Sequence, residues 1–156
     1  MEILAVQRAA PSPPAAEDRH VWCLPDTDLT GAAHARRRAA GVLRRWRLPR
    51  ATVDDAVLVV CELVTNALRH GRSPVRVALH RGLHRGRGAL TISVTDQGHI
   101  PYPSGPEQDL GHAGESGRGL SIVAALAQAH GYEGGASTTF WARLHTHAAG
   151  PAEDAP

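Results

Sequence analysis

The apolar period of the chain changes sharply in the middle of its sequence. From Thr52 to Gly71, Val53, Val57, Val60, Val64 and Ala67/Leu68 recur at helical spacing, with Gly71 as the stop and Pro74 soon after. In PVRVALH, Val75, Val77 and Leu79 then alternate with Arg76, Ala78 and His80, and in ALTISVT, Leu90, Ile92 and Val94 repeat the alternation. RGLHRGRG, residues 81–88, reads as the turn of a hairpin. A long amphipathic helix followed directly by two half-buried strands fits neither a helical bundle nor an all-β barrel. It predicts a helix laid across a sheet.

The flanking segments extend the same pattern. HVWCL, residues 20–24, is a strand candidate. A first helix follows, with Asp28 or Thr30 as N-cap, an apolar face of Ala35, Ala39, Val42, Leu43 and Trp46, and Pro49 as its end. Residues 96–116 lack periodicity and are dense in Gly and Pro; a loop of that length in a compact domain is usually functional or disordered. A third helix is predicted over 117–130, with Leu120, Val123, Ala124 and Ala127 on one side. STTFWARLH, preceded by the Gly134-Gly135 turn, is the last strand. The order of strand, two helices, hairpin, loop, helix and hairpin predicts an α+β fold, with helices covering one face of a mixed, mostly antiparallel sheet. The Pro- and Ala-rich residues 1–17 and the terminal 148–156 read as disordered tails around one domain, 18–147.

Composition excludes several chemistries. All 17 basic residues are Arg and none is Lys, which rules out a Walker A lysine, a eukaryotic-type kinase strand lysine and Schiff-base catalysis. A net charge of +2 is too balanced to announce a nucleic-acid or membrane surface. Cys23 and Cys61 form no C-x-x-C pair and read as free thiols. No run approaches the ~18 apolar residues of a membrane span, and the N-terminus lacks a signal-peptide pattern, so a cytoplasmic protein is expected.

Three short segments carry chemistry. On the second helix, Glu62, Asn66 and His70 fall at intervals of four, along one stripe. Taken alone, that stripe is better read as a solvated helix face. Asn66 nevertheless offers an amide oxygen to Mg²⁺, and Glu62 can accept a proton from an attacking hydroxyl. Asp96-Gln97-Gly98 ends a strand, where a carboxylate can accept from an exocyclic amine while the backbone stays close to a flat ring. Gly117-Arg118-Gly119 opens a helix, whose free N–H groups suit phosphate without any lysine.

In sequence order, ELVTNALRHG, TISVTDQG and GESGRGLSIVAALA resemble the N, G1 and G2 boxes of the GHKL ATP-binding superfamily, and most closely those of small bacterial anti-sigma serine/threonine kinases. The resemblance covers residues 20–145 and implies a two-layer α/β sandwich of the Bergerat type. It implies that Asn66 holds Mg²⁺, that Glu62 is the general base, that Asp96 recognises the adenine of ATP with Gly98 beside it, and that Gly117, Arg118, Gly119 and Leu120 belong to the phosphate-binding box. Arg69 and His70 match polar N-box positions near the phosphates. A homodimer that sequesters a sigma factor and phosphorylates an anti-sigma-factor antagonist is also implied. The chain departs from relatives that carry Gly-Lys-Thr before the last-strand Trp, since Thr138-Thr139-Phe140-Trp141 has no lysine. His99-Ile100-Pro101 also departs from the glycine-rich G1 pattern.

Other readings compete. A sensor kinase needs a helical hairpin presenting a phosphoacceptor His, and His34 lacks the surrounding pattern. A nucleotide-dependent switch that acts by binding alone is the main alternative. Arg36-Arg37-Arg38 and Arg44-Arg45-Trp46-Arg47 read as an exposed helix face better suited to a protein partner than to nucleic acid. His80/His84 and His145/His147 read as surface histidines, and Trp22, Trp46 and Trp141 as packing residues.

Overall fold

The computed structural model describes residues 16–24, 30–98 and 116–146. In chain order these form β1 (Ala16–Cys23), α1 (Thr30–Arg45), α2 (Arg50–His70), β2 (Arg76–His84), β3 (Arg87–Asp96), α3 (Ser116–Leu126), β4 (Ala129–Gly134) and β5 (Thr138–His145). The strands make one sheet in the order β1-β2-β3-β5-β4. Every described pairing is antiparallel, so the expected antiparallel predominance is complete. This is the α+β architecture expected from the sequence.

Register explains which side chains are buried. Trp22, Val77, Val94 and Phe140 lie in one cross-strand row, and Leu79, Ile92 and Ala142 in the next on the same face. They join Ala35, Ala39, Val42 and Leu43 of α1 and Val59, Val60, Leu63 and Val64 of α2 in a single core. The small side chains of α1 let it pack along α2, which also touches β3, β5 and α3. Neighbours on several sides widen the buried arc of α2 beyond one stripe: Ala56 and Val59 are fully buried, whereas Val57 and Leu68 are only partly covered.

Four boundaries differ from the sequence expectation. α1 ends at Arg45, short of Pro49. Leu48 N–H donates to Leu43 C=O at 3.3 Å and Arg47 N–H to Arg44 C=O at 2.9 Å, a Schellman motif whose left-handed position is Arg47 (φ 55°) rather than glycine. Pro49 instead occupies the N-cap of α2. The stretch 81–88 is mostly strand; only Arg85 (φ 50°) and Gly86 (φ 75°) form the turn, consistent with a two-residue type I′ hairpin. Arg81, on the core-facing side, reaches the end of α1 by donating from Nη1 to the Trp46 carbonyl at 2.7 Å, and it pairs with Asp18. α3 stops at Leu126 and β4 takes over at Ala129, so the predicted helix is shorter and the final hairpin longer. β1 begins at Ala16, just ahead of the expected domain boundary. The Asp28 cap, residues 99–115 of the glycine-rich loop, His147 and most of both tails lie outside the described residues.

Candidate nucleotide site

α2 brings the polar stripe to the edge of the core. Its buried side, including Val60, Leu63, Val64 and Ala67, fixes the rotation of the helix, leaving Glu62, Thr65, Asn66, Arg69 and His70 on its open side. These five residues line a small recess with Gly119 and Leu120 of α3. Six of the ten expected site residues are thus together: Glu62, Asn66, Arg69, His70, Gly119 and Leu120. Gly117 and Arg118 lie in the first turn of α3.

The contact between the two helices is close. A Cβ on Gly119 would lie 2.5 Å from Glu62 Oε2, so a side chain there requires the carboxylate to move.

Asp96 and Gly98 form the second half of the site. Asp96 is 3% exposed. Its Oδ1 accepts from Gly98 N–H at 2.6 Å and from Arg72 N–H at 3.2 Å, and neither bond uses Oδ2. The carboxylate therefore ties the end of β3 to the chain leaving α2, with its other oxygen retaining acceptor capacity. Gln97 N–H donates to Arg72 C=O at 2.8 Å and reinforces the same junction.

Two neighbours of this half, Thr138 and Gly71, and one residue of the recess, Thr65, were not singled out as site residues in the sequence. Thr138, 1% exposed at the start of β5, donates from its hydroxyl to Gly98 C=O at 2.8 Å. Only the β3–β5 register, with Asp96 opposite Thr138, reveals that contact. Gly71 read simply as a helix stop. Its φ of −93° and ψ of −169° are open to any residue, so left-handed backbone is not the reason for glycine. A Cβ there would lie 2.6 Å from Asp96 Oδ1 and 2.6 Å from the Ala67 carbonyl oxygen, so the carboxylate and the last turn of α2 together leave no room for a side chain. Thr65 joins the recess because it neighbours the stripe on α2.

The residues suit a nucleotide with its metal. Asn66 presents a hard amide oxygen of the kind Mg²⁺ takes, with the Glu62 carboxylate one helical turn before it on the same recess. Gly119 brings backbone close to Glu62, and Gly71 and Gly98 keep space around the Asp96 carboxylate.

Comparison with known proteins agrees with this geometry. No curated protein is similar enough to match. The family model described as the histidine kinase-like ATPase domain matches residues 26–144, a span containing Glu62, Asn66, Asp96, Gly98 and the start of α3. The chain belongs to the histidine kinase-like ATPase family, of the GHKL superfamily, and carries its ATP-binding domain.

Proposed function

We propose that the protein is a serine/threonine kinase that transfers the γ-phosphate of ATP to an anti-sigma-factor antagonist, and that as a cytoplasmic homodimer it also binds the sigma factor. The observation that carries this reading is the placement of Glu62 and Asn66 on one face of α2, with Gly119 packed against the Glu62 carboxylate.

Each residue has a definable task. Asp96 Oδ2 accepts from the exocyclic amine of adenine while Oδ1 stays committed to the backbone. The N–H groups at the start of α3 face the phosphates. Asn66, with its amide oxygen, is the residue that would hold Mg²⁺, which when bound neutralises phosphate charge. Glu62 takes the proton of the acceptor hydroxyl as that oxygen bonds to the γ-phosphorus, and the bond from γ-phosphorus to the β,γ-bridging oxygen breaks to release ADP. With no lysine in the chain, side-chain cations for the phosphate end must be arginines, and Arg69 lines the recess.

The partner assignment rests on the family resemblance and on α1, where Arg36, Arg37, Arg38, Arg44 and Arg45 are all exposed. That basic face suits an acidic protein surface. No described helix is long and apolar enough to cross a membrane. The deciding experiment incubates purified protein with labelled ATP, Mg²⁺ and candidate antagonist proteins, measuring nucleotide binding and phosphate transfer separately. Transfer that disappears in Asn66→Ala and falls in Glu62→Ala, with ATP still bound by Glu62→Ala, supports the kinase. Binding without transfer to any antagonist assigns the chain to the switch class instead.

A further inference from the structure

The opposite end of the sheet holds a second polar recess that the nucleotide reading does not use. It has a volume of ≈ 370 Å³ and is lined by His84, Arg85 and Arg87 of the β2–β3 hairpin, Gln128 before β4, and Arg143 and His145 of β5. Arg87 and Asp96 are the two ends of β3, and at ~3.4 Å per residue the recess lies about 30 Å from the candidate adenine carboxylate.

Its charge is of one sign. Three arginines converge there, and no carboxylate is among the described residues that line the recess. Arg143 is 5% exposed; its Nη1 donates to His84 Nε2 at 2.9 Å, and its buried Nε has no acceptor. Thr91, opposite Arg143 on β3, is also buried with an unpartnered hydroxyl. A buried guanidinium without an anion is costly, and hydrophobic residues of similar volume would serve packing better. Burial, and then Arg85, lowers the Arg143 pKa; burial, then Arg143 and Arg85, lowers that of His84. Beyond burial, the part of each shift that comes from charge is a guanidinium's, and the described neighbour on the Arg143 guanidinium's other side is the neutral Trp141 ring, 5.8 Å from it.

We propose that this recess binds a small oxyanion of the phosphate class, with Arg143 as the inner donor and Arg85 and Arg87 closing around it, while Gln128 is held at its rim by His145. The guanidinium fork matches phosphate oxygens, and a dianion suits three converging cations better than a single carboxylate does. The shared chemistry is the phosphate group, available as the free ion or as a small monoester.

The test is residue-resolved NMR titration of the full chain, without nucleotide and at constant ionic strength, using inorganic phosphate in one arm and O-phosphoserine in the other. Shifts are expected at residues 84–88, 128 and 143, saturating below about 10 mM. The double variant Arg85→Gln/Arg87→Gln changes only exposed side chains and is expected to weaken binding about tenfold. Arg143→Gln is expected to abolish binding, and the exposed double variant keeps the test valid should that buried change prevent folding. Tighter binding of O-phosphoserine assigns the site to a monoester, and equal binding assigns it to the free ion; both support the proposal. Shifts confined to residues 62–71 and 117–120, unchanged binding in the double variant, or no saturation would each overturn it. Because the readout is local to the hairpin, failure here leaves the kinase assignment untouched.

Discussion

Gly71 lies against the carboxylate of Asp96, so close that a methyl group on it would come within 2.6 Å of Oδ1. Asp96 is buried and held by two backbone N–H groups, so it has little freedom to retreat. Gly71→Ala is therefore predicted to cost about 1–3 kcal/mol of stability and to weaken ATP binding about tenfold, measured by denaturant unfolding and nucleotide titration. Wild-type affinity in this variant would separate Asp96 from adenine recognition.

Gly119→Ala meets the same kind of obstacle with a different outcome. The obstructing atom, Glu62 Oε2, is the end of a flexible, part-exposed side chain. The variant is predicted to keep its stability within about 0.5 kcal/mol, because the carboxylate swings aside. Phosphate transfer should fall toward that of Glu62→Ala, and ATP binding should weaken as well, because the added methyl group enters the recess that Gly119 lines. A variant with normal transfer would show that the placement of Glu62 does not matter to the reaction.

The helix stripe and the two glycine-bearing turns were legible in the sequence because helical spacing alone puts Glu62, Asn66 and His70 in line. What hid was set by pairing between distant strands. Thr138 became a neighbour of Gly98 only through β3–β5 register. Residues 81–84 carry Gly and Arg, which resemble a turn, yet Gly82 pairs with Ala89 inside the ladder. Composition could not show that Arg81 is needed on that strand to reach the end of α1. The recess around Arg143 was invisible for the same reason, since its cations come from segments far apart in the chain.

Arg47 adopts the left-handed conformation at the end of α1 with its side chain exposed. A non-glycine residue there costs about 1–2 kcal/mol, offset in part by the ~0.5–1 kcal/mol that glycine loses on folding. Arg47→Gly is predicted to stabilise the protein by about 0.5–1 kcal/mol, read as a higher denaturant midpoint with unchanged slope. A lower midpoint would mean that the arginine makes a contact worth more than the backbone strain.

Stability is predicted to decline on mild acidification. Burial lowers the pKa of His80, with Arg19 adding to it, and burial alone lowers that of His130. The unfolded chain, with histidines near 6.5, then binds more protons than the native one below that pH. Stability is thus fully present above the unfolded value and is lost as pH falls through 6.5 toward the lower native values. Urea unfolding at pH 7.5 and about 5.5 checks this, and the double variant His80→Gln/His130→Gln should show a shallower decline. An identical pH dependence in the variant would contradict the assignment to these two rings.

Thr138 and Arg143 sit on β5, the strand that enters the sheet between β3 and β4. One contacts the Gly98 carbonyl and the other forms the inner wall of the basic recess, so both ends of the molecule wait for the same strand. β5 follows every other strand in sequence and must close a long loop to reach β3. Such non-local pairing is slow, and a nascent chain that has not yet made Thr138 carries Glu62, Asn66 and Asp96 without completing either pocket. Pairing of β5 with β3 thus brings Thr138 to one end of the sheet and Arg143 to the other in the same step.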